Sequence, residues 1–125
     1  MAVQRRILVV DDEAGMRELL EIVLGNDGYE VVTAPDVATA CKTLEEQTFD
    51  CVLTDLRMGN EREAGMRVLS WLRDNDPNTP AVMITAHGSV ESAIEAMKRG
   101  AADYLMKPFK NDDIKLLVKR AIEHR

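Results

Sequence analysis

A doubly wound α/β fold is what this 125-residue sequence predicts: a five-stranded parallel sheet, with helices on both faces, in three layers. Three observations carry that expectation. Short apolar runs recur five times along the chain, each suited to a buried strand. Between them lie longer segments whose apolar residues repeat at helical spacing. Gly, Pro and Asp clusters punctuate the junctions. Strands that alternate with helices imply parallel pairing and right-handed crossovers. The order of strands across the sheet stays open at this point.

Arg6-Ile7-Leu8-Val9-Val10 is the first strand and ends in three acids, Asp11-Asp12-Glu13. Met16, Leu19, Leu20, Val23 and Leu24 form the inward stripe of the first helix, which Gly25-Asn26-Asp27-Gly28 stops. Tyr29–Thr33 is the second strand. Ala34-Pro35-Asp36 turns the chain, and Asp36 is placed to cap a helix with Val37, Ala40, Cys41 and Leu44 inside. Residues 51–54 are apolar or β-branched and form the third strand, closed by Asp55. A polar loop, Gly59–Glu63, precedes the third helix, with Met66, Leu69 and Leu72 inward and Trp71 as a packing residue. Asp74–Pro80 breaks that helix. Ala81–Thr85 is the fourth strand. Ser89 caps a helix carrying Val90, Ala93, Ile94 and Met97, with Gly100 after it. Asp103–Met106 is the fifth strand, and Lys107-Pro108-Phe109 leads to a last helix with Ile114, Leu117, Val118 and Ala121 inside.

Composition bounds what such a chain does. The length fits one domain, residues 1–125, with a single core. A net charge of −6 argues against direct contact with a nucleic-acid backbone. No apolar run reaches membrane-spanning length, and Met1–Arg6 has no signal-peptide pattern. Cys41 and Cys51 lack metal-like spacing and read as buried thiols of a cytoplasmic protein.

In a parallel sheet every strand opens its C-terminal end on one edge, where ligands bind. That edge collects Asp11 and Asp12, Asp55, Thr85 and Lys107. Three carboxylates crowded together repel unless a cation joins them. A hard, oxygen-liking divalent ion, Mg²⁺ or Mn²⁺, suits the donors. Lys107 adds a compact positive charge for an anionic oxygen, and Thr85 a hydroxyl. A carboxylate nucleophile with a metal, an ammonium and a hydroxyl makes a site for phosphoryl transfer onto aspartate.

The motifs Val9-Val10-Asp11-Asp12-Glu13, Leu53-Thr54-Asp55-Leu56-Arg57-Met58, Thr85-Ala86 and Asp103-Tyr104-Leu105-Met106-Lys107-Pro108-Phe109 close their strands in order. Across essentially the whole chain the sequence resembles the receiver domains of bacterial two-component response regulators, whose fold is flavodoxin-like (βα)5. The resemblance implies that Asp55 is the phosphoacceptor. It implies that Asp12 binds Mg²⁺ directly, Asp11 mainly through water and Arg57 through its backbone carbonyl. Lys107 would pair with the phosphoryl group, Thr85 would shift toward it, and Tyr104 would rotate inward. The Lys107–Pro108 peptide would be cis. The implied partner is a sensor histidine kinase, and the domain would catalyse only its own phosphorylation and hydrolysis. A phosphatase with an aspartyl nucleophile is disfavoured, because Asp11-Asp12-Glu13 lacks the Asp-x-Asp spacing of such enzymes.

Thr85-Ala86-His87-Gly88 and residues 100–109 look most like the nitrogen-regulation class. This implies an N-terminal receiver followed by ATPase and DNA-binding domains, and so a part in transcription; a stand-alone phosphorelay or docking receiver is the alternative. Mixed charges at Glu91, Glu95, Lys98, Arg99, Asp103, Lys115, Lys119 and Arg120 suit a homodimer through the fourth helix, fifth strand and fifth helix. One departure stands out. The family carries Pro where this chain has Gly59, and a glycine about eight residues after the phosphoacceptor; here Gly65 lies ten residues on. A longer, looser Gly59–Ala64 loop follows. His87 and Arg57, each two residues past a site residue, would flank the pocket.

Overall fold

The computed structural model describes residues 3–125; the first two positions of the expected 1–125 unit, and the start of the Met1–Arg6 segment, lie outside the described residues. The chain runs β1 (Arg6–Val10), α1 (Ala14–Asn26), β2 (Glu30–Ala34), α2 (Val37–Glu46), β3 (Cys51–Thr54), α3 (Ala64–Asn75), β4 (Ala81–Thr85), α4 (Val90–Lys98), β5 (Asp103–Met106) and α5 (Asn111–Glu123). All pairings are parallel, in the order β2-β1-β3-β4-β5. The chain steps from β1 to β2 on one side, then returns to place β3 on the other. The loops after β1 and β3 therefore part company at a crevice on the carboxyl edge, the usual ligand position of such sheets.

β3 and β4 are buried throughout, and β1 is buried from Ile7 to Val10. Alternate strand residues feed opposite faces of the sheet. Leu8, Val10, Val52 and Met83 pack beneath α2 and α3, with half-buried Trp71 at the margin, in keeping with a packing role. Ile7, Val9, Leu53 and Ile84 pack beneath α1 and α5. Cys51 is fully buried, and that burial pushes its thiol up to about 12; Cys41 is only half-buried, and both are free. No helix among the described residues is long and apolar enough to cross a membrane.

Local signals act as expected at several ends. Asp36 Oδ1 accepts the Thr39 N–H at 2.7 Å and caps α2. Ser89 and Ser92 form a reciprocal capping box on α4. The second strand begins one residue later than expected. Leu19 is 40% exposed, off the buried Leu20–Val23–Leu24 stripe of α1.

α4 departs most. Val90, Ile94 and Met97, expected to face inward, are 73%, 51% and 48% exposed, and Ala93 is half-buried. Ala96 alone of this helix is buried. The stripe is real, but periodicity reports that an apolar face exists, not which body covers it. Here the helix docks through the small Ala96 side and leaves the larger side chains outward.

The opposite, amino edge of the sheet is closed by charge. Asp50 accepts the Arg6 backbone N–H at 2.8 Å and pairs with Arg125 at 2.8 Å and Arg5 at 3.6 Å. Burial alone would raise the Asp50 carboxyl, but these donors hold it below its ordinary value. A depressed acid stabilises the fold above its unfolded-state pKa, near 3.9, and loses that contribution as pH falls through the folded value. Asp50→Asn is therefore expected to cost about 1 kcal/mol at neutral pH. Urea midpoints measured against pH should show the gap closing as pH falls below the unfolded-state value and through the depressed Asp50 value. A gap independent of pH would show that the charge on Asp50 is not what matters.

Candidate active site

Backbone hydrogen bonds carry the ladder past the strand ends and set the site. Asp11 N–H donates to Ala34 O at 3.1 Å, Asp55 N–H to Val10 O at 2.9 Å, and Lys107 N–H to Thr85 O at 2.9 Å. Three site residues from three strands are thus fixed at one edge. The Lys107–Pro108 peptide is cis. Lys107 Nζ donates to Asp11 Oδ2 at 2.8 Å and to Asp55 Oδ2 at 3.0 Å, and Glu13 Oε1 lies 3.8 Å away. The side chains of Lys107, Asp11 and Asp55 are all buried.

One ammonium meets three carboxylates, and a fourth, Asp12, lies beside them. Oxygens of Asp11, Asp12, Glu13 and Asp55 lie within 4.8 Å of one another. Burial pushes the Asp11 carboxyl above its ordinary value, against the pull of Lys107 and of the Glu13 N–H on Oδ1. Burial alone would lower the Lys107 ammonium, yet its hydrogen bonds to Asp11 and Asp55 hold it above its usual value. Asp55 Oδ1 is buried without any hydrogen-bond partner. A buried carboxylate oxygen left unpaired is costly unless a ligand meets it. An all-oxygen donor set with surplus negative charge fits a hard divalent cation.

The acids open into a cleft of about 290 Å³ lined by Asp12, Glu13, Asp55, Arg57, Gly59, Ala86 and His87. Arg57 and His87 are exposed at its rim, as their spacing suggested. The structure thus brings Asp11, Asp12, Asp55 and Lys107 together. Thr85 is fully buried at the end of β4, its carbonyl accepting the Lys107 N–H, and its hydroxyl oxygen accepts the His87 N–H at 3.0 Å. Tyr104 is half-buried on β5 and its hydroxyl shares a hydrogen bond with Ser92 Oγ at 2.8 Å. A Cβ on Gly88 would run into that hydroxyl and into Met106 Sδ, so Gly88 leaves the space that Tyr104 occupies.

Two residues escaped the sequence reasoning. Glu13 joins the acid cluster; its position in the acidic run was the available signal. The Gly59 N–H donates to Asp12 Oδ2 at 2.8 Å, which no spacing announces. Nor is the loop around Gly59 slack. Met58 and Glu61 exchange both backbone hydrogen bonds at 3.1 Å, with Gly59 at φ +60°. Beyond the turn, Gly65 N–H donates to Leu56 O at 2.8 Å, and a Cβ there would collide with the Asp55 carbonyl.

Comparison with known proteins agrees with this geometry. The family model described as response regulator receiver domain matches residues 7–119. The alginate biosynthesis transcriptional regulatory protein AlgB of Pseudomonas syringae pv. tomato is 38% identical over 98% of this chain and 27% of its own length. The regulatory protein AtoC of Escherichia coli K12 is 37% identical over 98% of this chain and 26% of its own. The chain thus spans about a quarter of these curated relatives. Among solved structures, the receiver domain of NtrX from Brucella abortus superposes with a TM-score of 0.88 at 37% identity, covering 95% of this chain and 99% of that one. The beryllofluoride-activated NtrC4 receiver domain dimer gives 0.88 at 35% identity, covering 94% and 96%. With the sheet order, the acid cup and these likenesses in agreement, the chain belongs to the response regulator receiver domains of two-component systems.

Proposed function

We propose that residues 1–125 form one receiver domain in which Asp55 accepts a phosphoryl group from a sensor histidine kinase. The observation that carries this reading is the shared ammonium: Lys107 bonds one oxygen of Asp55 and leaves the other, Oδ1, without a partner in an acid-lined cleft. Asp55 attacks phosphorus in line; the new O–P bond forms as the P–N bond to the kinase imidazole breaks, and the imidazole leaves with that electron pair. Lys107 meets the charge gathering on the phosphoryl oxygens. Asp12, Asp55 and the Arg57 backbone carbonyl would hold Mg²⁺ (or Mn²⁺), which when bound supplies further neutralisation of that charge. Both oxygens of Asp11 are engaged, by Lys107 and by the Glu13 N–H, which suits contact with the ion through water. Asp12 is exposed and keeps an oxygen available for direct binding.

The acyl phosphate then biases an existing equilibrium. Thr85 exchanges the His87 N–H for a phosphoryl oxygen, and Tyr104 leaves Ser92 and turns inward. The domain turns over no other substrate. Its output passes through the face of α4, β5 and α5, whose elements expose the apolar side chains Val90, Ile94, Met97, Met106 and Leu116 that a homodimer contact would cover. The full-length cytoplasmic protein then carries ATPase and DNA-binding domains and controls transcription, in line with the relatives named as transcriptional regulators.

Incubation with acetyl phosphate tests this. With Mg²⁺ the chain is expected to gain the mass of one phosphoryl group on Asp55, and with a chelator to gain none. Sedimentation of both samples reads any change in self-association. No adduct, or an adduct on another residue, overturns the reading.

A further inference from the structure

We infer that Gly59 is a positioning residue for the cation site: its backbone N–H aims the Asp12 carboxylate. This rests on the reading of Asp12 as a metal ligand given above. Asp12 is exposed, on the first loop of the carboxyl edge. An exposed aspartate otherwise spends its time among several rotamers. Gly59 lies 47 residues away on a different loop and reaches it at 2.8 Å. Among the described residues no other hydrogen bond meets the Asp12 carboxylate. With Oδ2 held by the amide, Oδ1 is the oxygen left without a hydrogen-bond partner.

The donor is itself held still. Met58 and Glu61 close the turn with two hydrogen bonds of 3.1 Å, and Glu61 Oε1 accepts from Arg67 Nη1 of α3 at 2.7 Å. Gly59 sits at φ +60°, where a glycine carries no steric cost. The choice of residue matters doubly. Proline, which the family pattern places here, has no N–H to give and locks φ near −65°. The departure from the pattern thus replaces a rigid turn with a hydrogen bond to a metal-binding acid. Partners that orient a ligand in this way are commonly worth tenfold or more in metal affinity.

The test compares three forms of the chain by calorimetric Mg²⁺ titration: unaltered, Gly59→Asn and Gly59→Pro. Asparagine keeps the N–H and tolerates positive φ. Gly59→Pro is expected to weaken Mg²⁺ binding about tenfold, and Gly59→Asn to stay within about twofold of the unaltered chain. In the metal-free unaltered chain, the Gly59 amide proton should show the small temperature coefficient of a hydrogen-bonded group by NMR. Equal affinities in all three forms, tighter binding in the proline form, or a solvent-like Gly59 amide each overturn the inference. An unaltered chain that takes no Mg²⁺ while its Gly59 amide is hydrogen-bonded overturns the metal reading of Asp12 itself, and this inference with it. Should Gly59→Pro not melt cooperatively, an ester in place of the Met58–Gly59 amide removes the N–H alone and decides the question on the same titration.

Discussion

Asp55→Asn is expected to reduce phosphoryl uptake from acetyl phosphate to background while leaving the metal-free chain more stable than the unaltered one. The two effects have one origin. Asp11 and Asp55 are buried side by side against a single Lys107 ammonium, and Asp55 Oδ1 has no partner. Removing one negative charge relieves repulsion and leaves an intact Lys107–Asp11 pair. A gain of about 1 kcal/mol is the size seen when a strained functional group is neutralised. For a chain of this length that is a rise of roughly 3 °C in Tm. The amide has no anionic oxygen to attack phosphorus, so chemistry is lost entirely. Saturating Mg²⁺ should invert the order of stability. A ligand at a hundred times its Kd contributes about 2.7 kcal/mol to the form that binds it, and on the proposed reading the unaltered chain is the tighter binder. Melting curves with chelator and with Mg²⁺ check the pair. A lower Tm for Asp55→Asn in chelator would dispose of the repulsion argument. Continued phosphorylation would dispose of Asp55 as the acceptor.

Gly65→Ala should be the most damaging single methyl in the molecule. An added Cβ would drive into the Asp55 carbonyl oxygen, with Leu56 Cα and Met83 Sδ each 3.0 Å away. The first two are backbone atoms and cannot swing aside. That carbonyl also accepts the Thr54 hydroxyl at 3.0 Å, and Gly65 N–H is tied to Leu56 O. Relief therefore requires α3 to lift or the end of β3 to move. Overpacking of this kind costs roughly 3 kcal/mol, a fall of about 10 °C in Tm. Because the strain falls on the residue that carries the carboxylate, phosphorylation by acetyl phosphate should slow even in molecules that remain folded. An unchanged Tm would show that α3 yields more easily than its contacts indicate.

Much of this was legible before the structure. Buried strands announce themselves as unbroken apolar runs, and Ile7–Val10 and Cys51–Thr54 occupy the positions such runs demand. The clustered acids are legible because they follow the ends of strands, and a parallel sheet carries all such ends to one edge. What escaped depends on contacts between distant segments. The order β2-β1-β3-β4-β5 is a matter of pairing, which no single stretch encodes. Val90, Ile94 and Met97 have the spacing of a core stripe, yet a stripe looks the same whether its cover is this chain or another. The Gly59–Asp12 hydrogen bond involves a backbone amide, which every residue but proline possesses, so residue identity alone carries no sign of it. The loop that length and glycine content made look slack is instead closed by backbone pairing between Met58 and Glu61.

α4 is fastened to the rest of the molecule by Ala96, by the hydrogen bond between the Ser92 and Tyr104 hydroxyls and, at its C-cap, by Arg99 Nη1 donating to Ser70 Oγ at 3.2 Å. Few buried groups mean a low free energy of local opening. Its amide protons should therefore trade with deuterium well before those of β1 and β3, which open only with the whole domain. A segment so loosely moored is easily displaced, and Tyr104, bonded to Ser92, holds one end of the mooring.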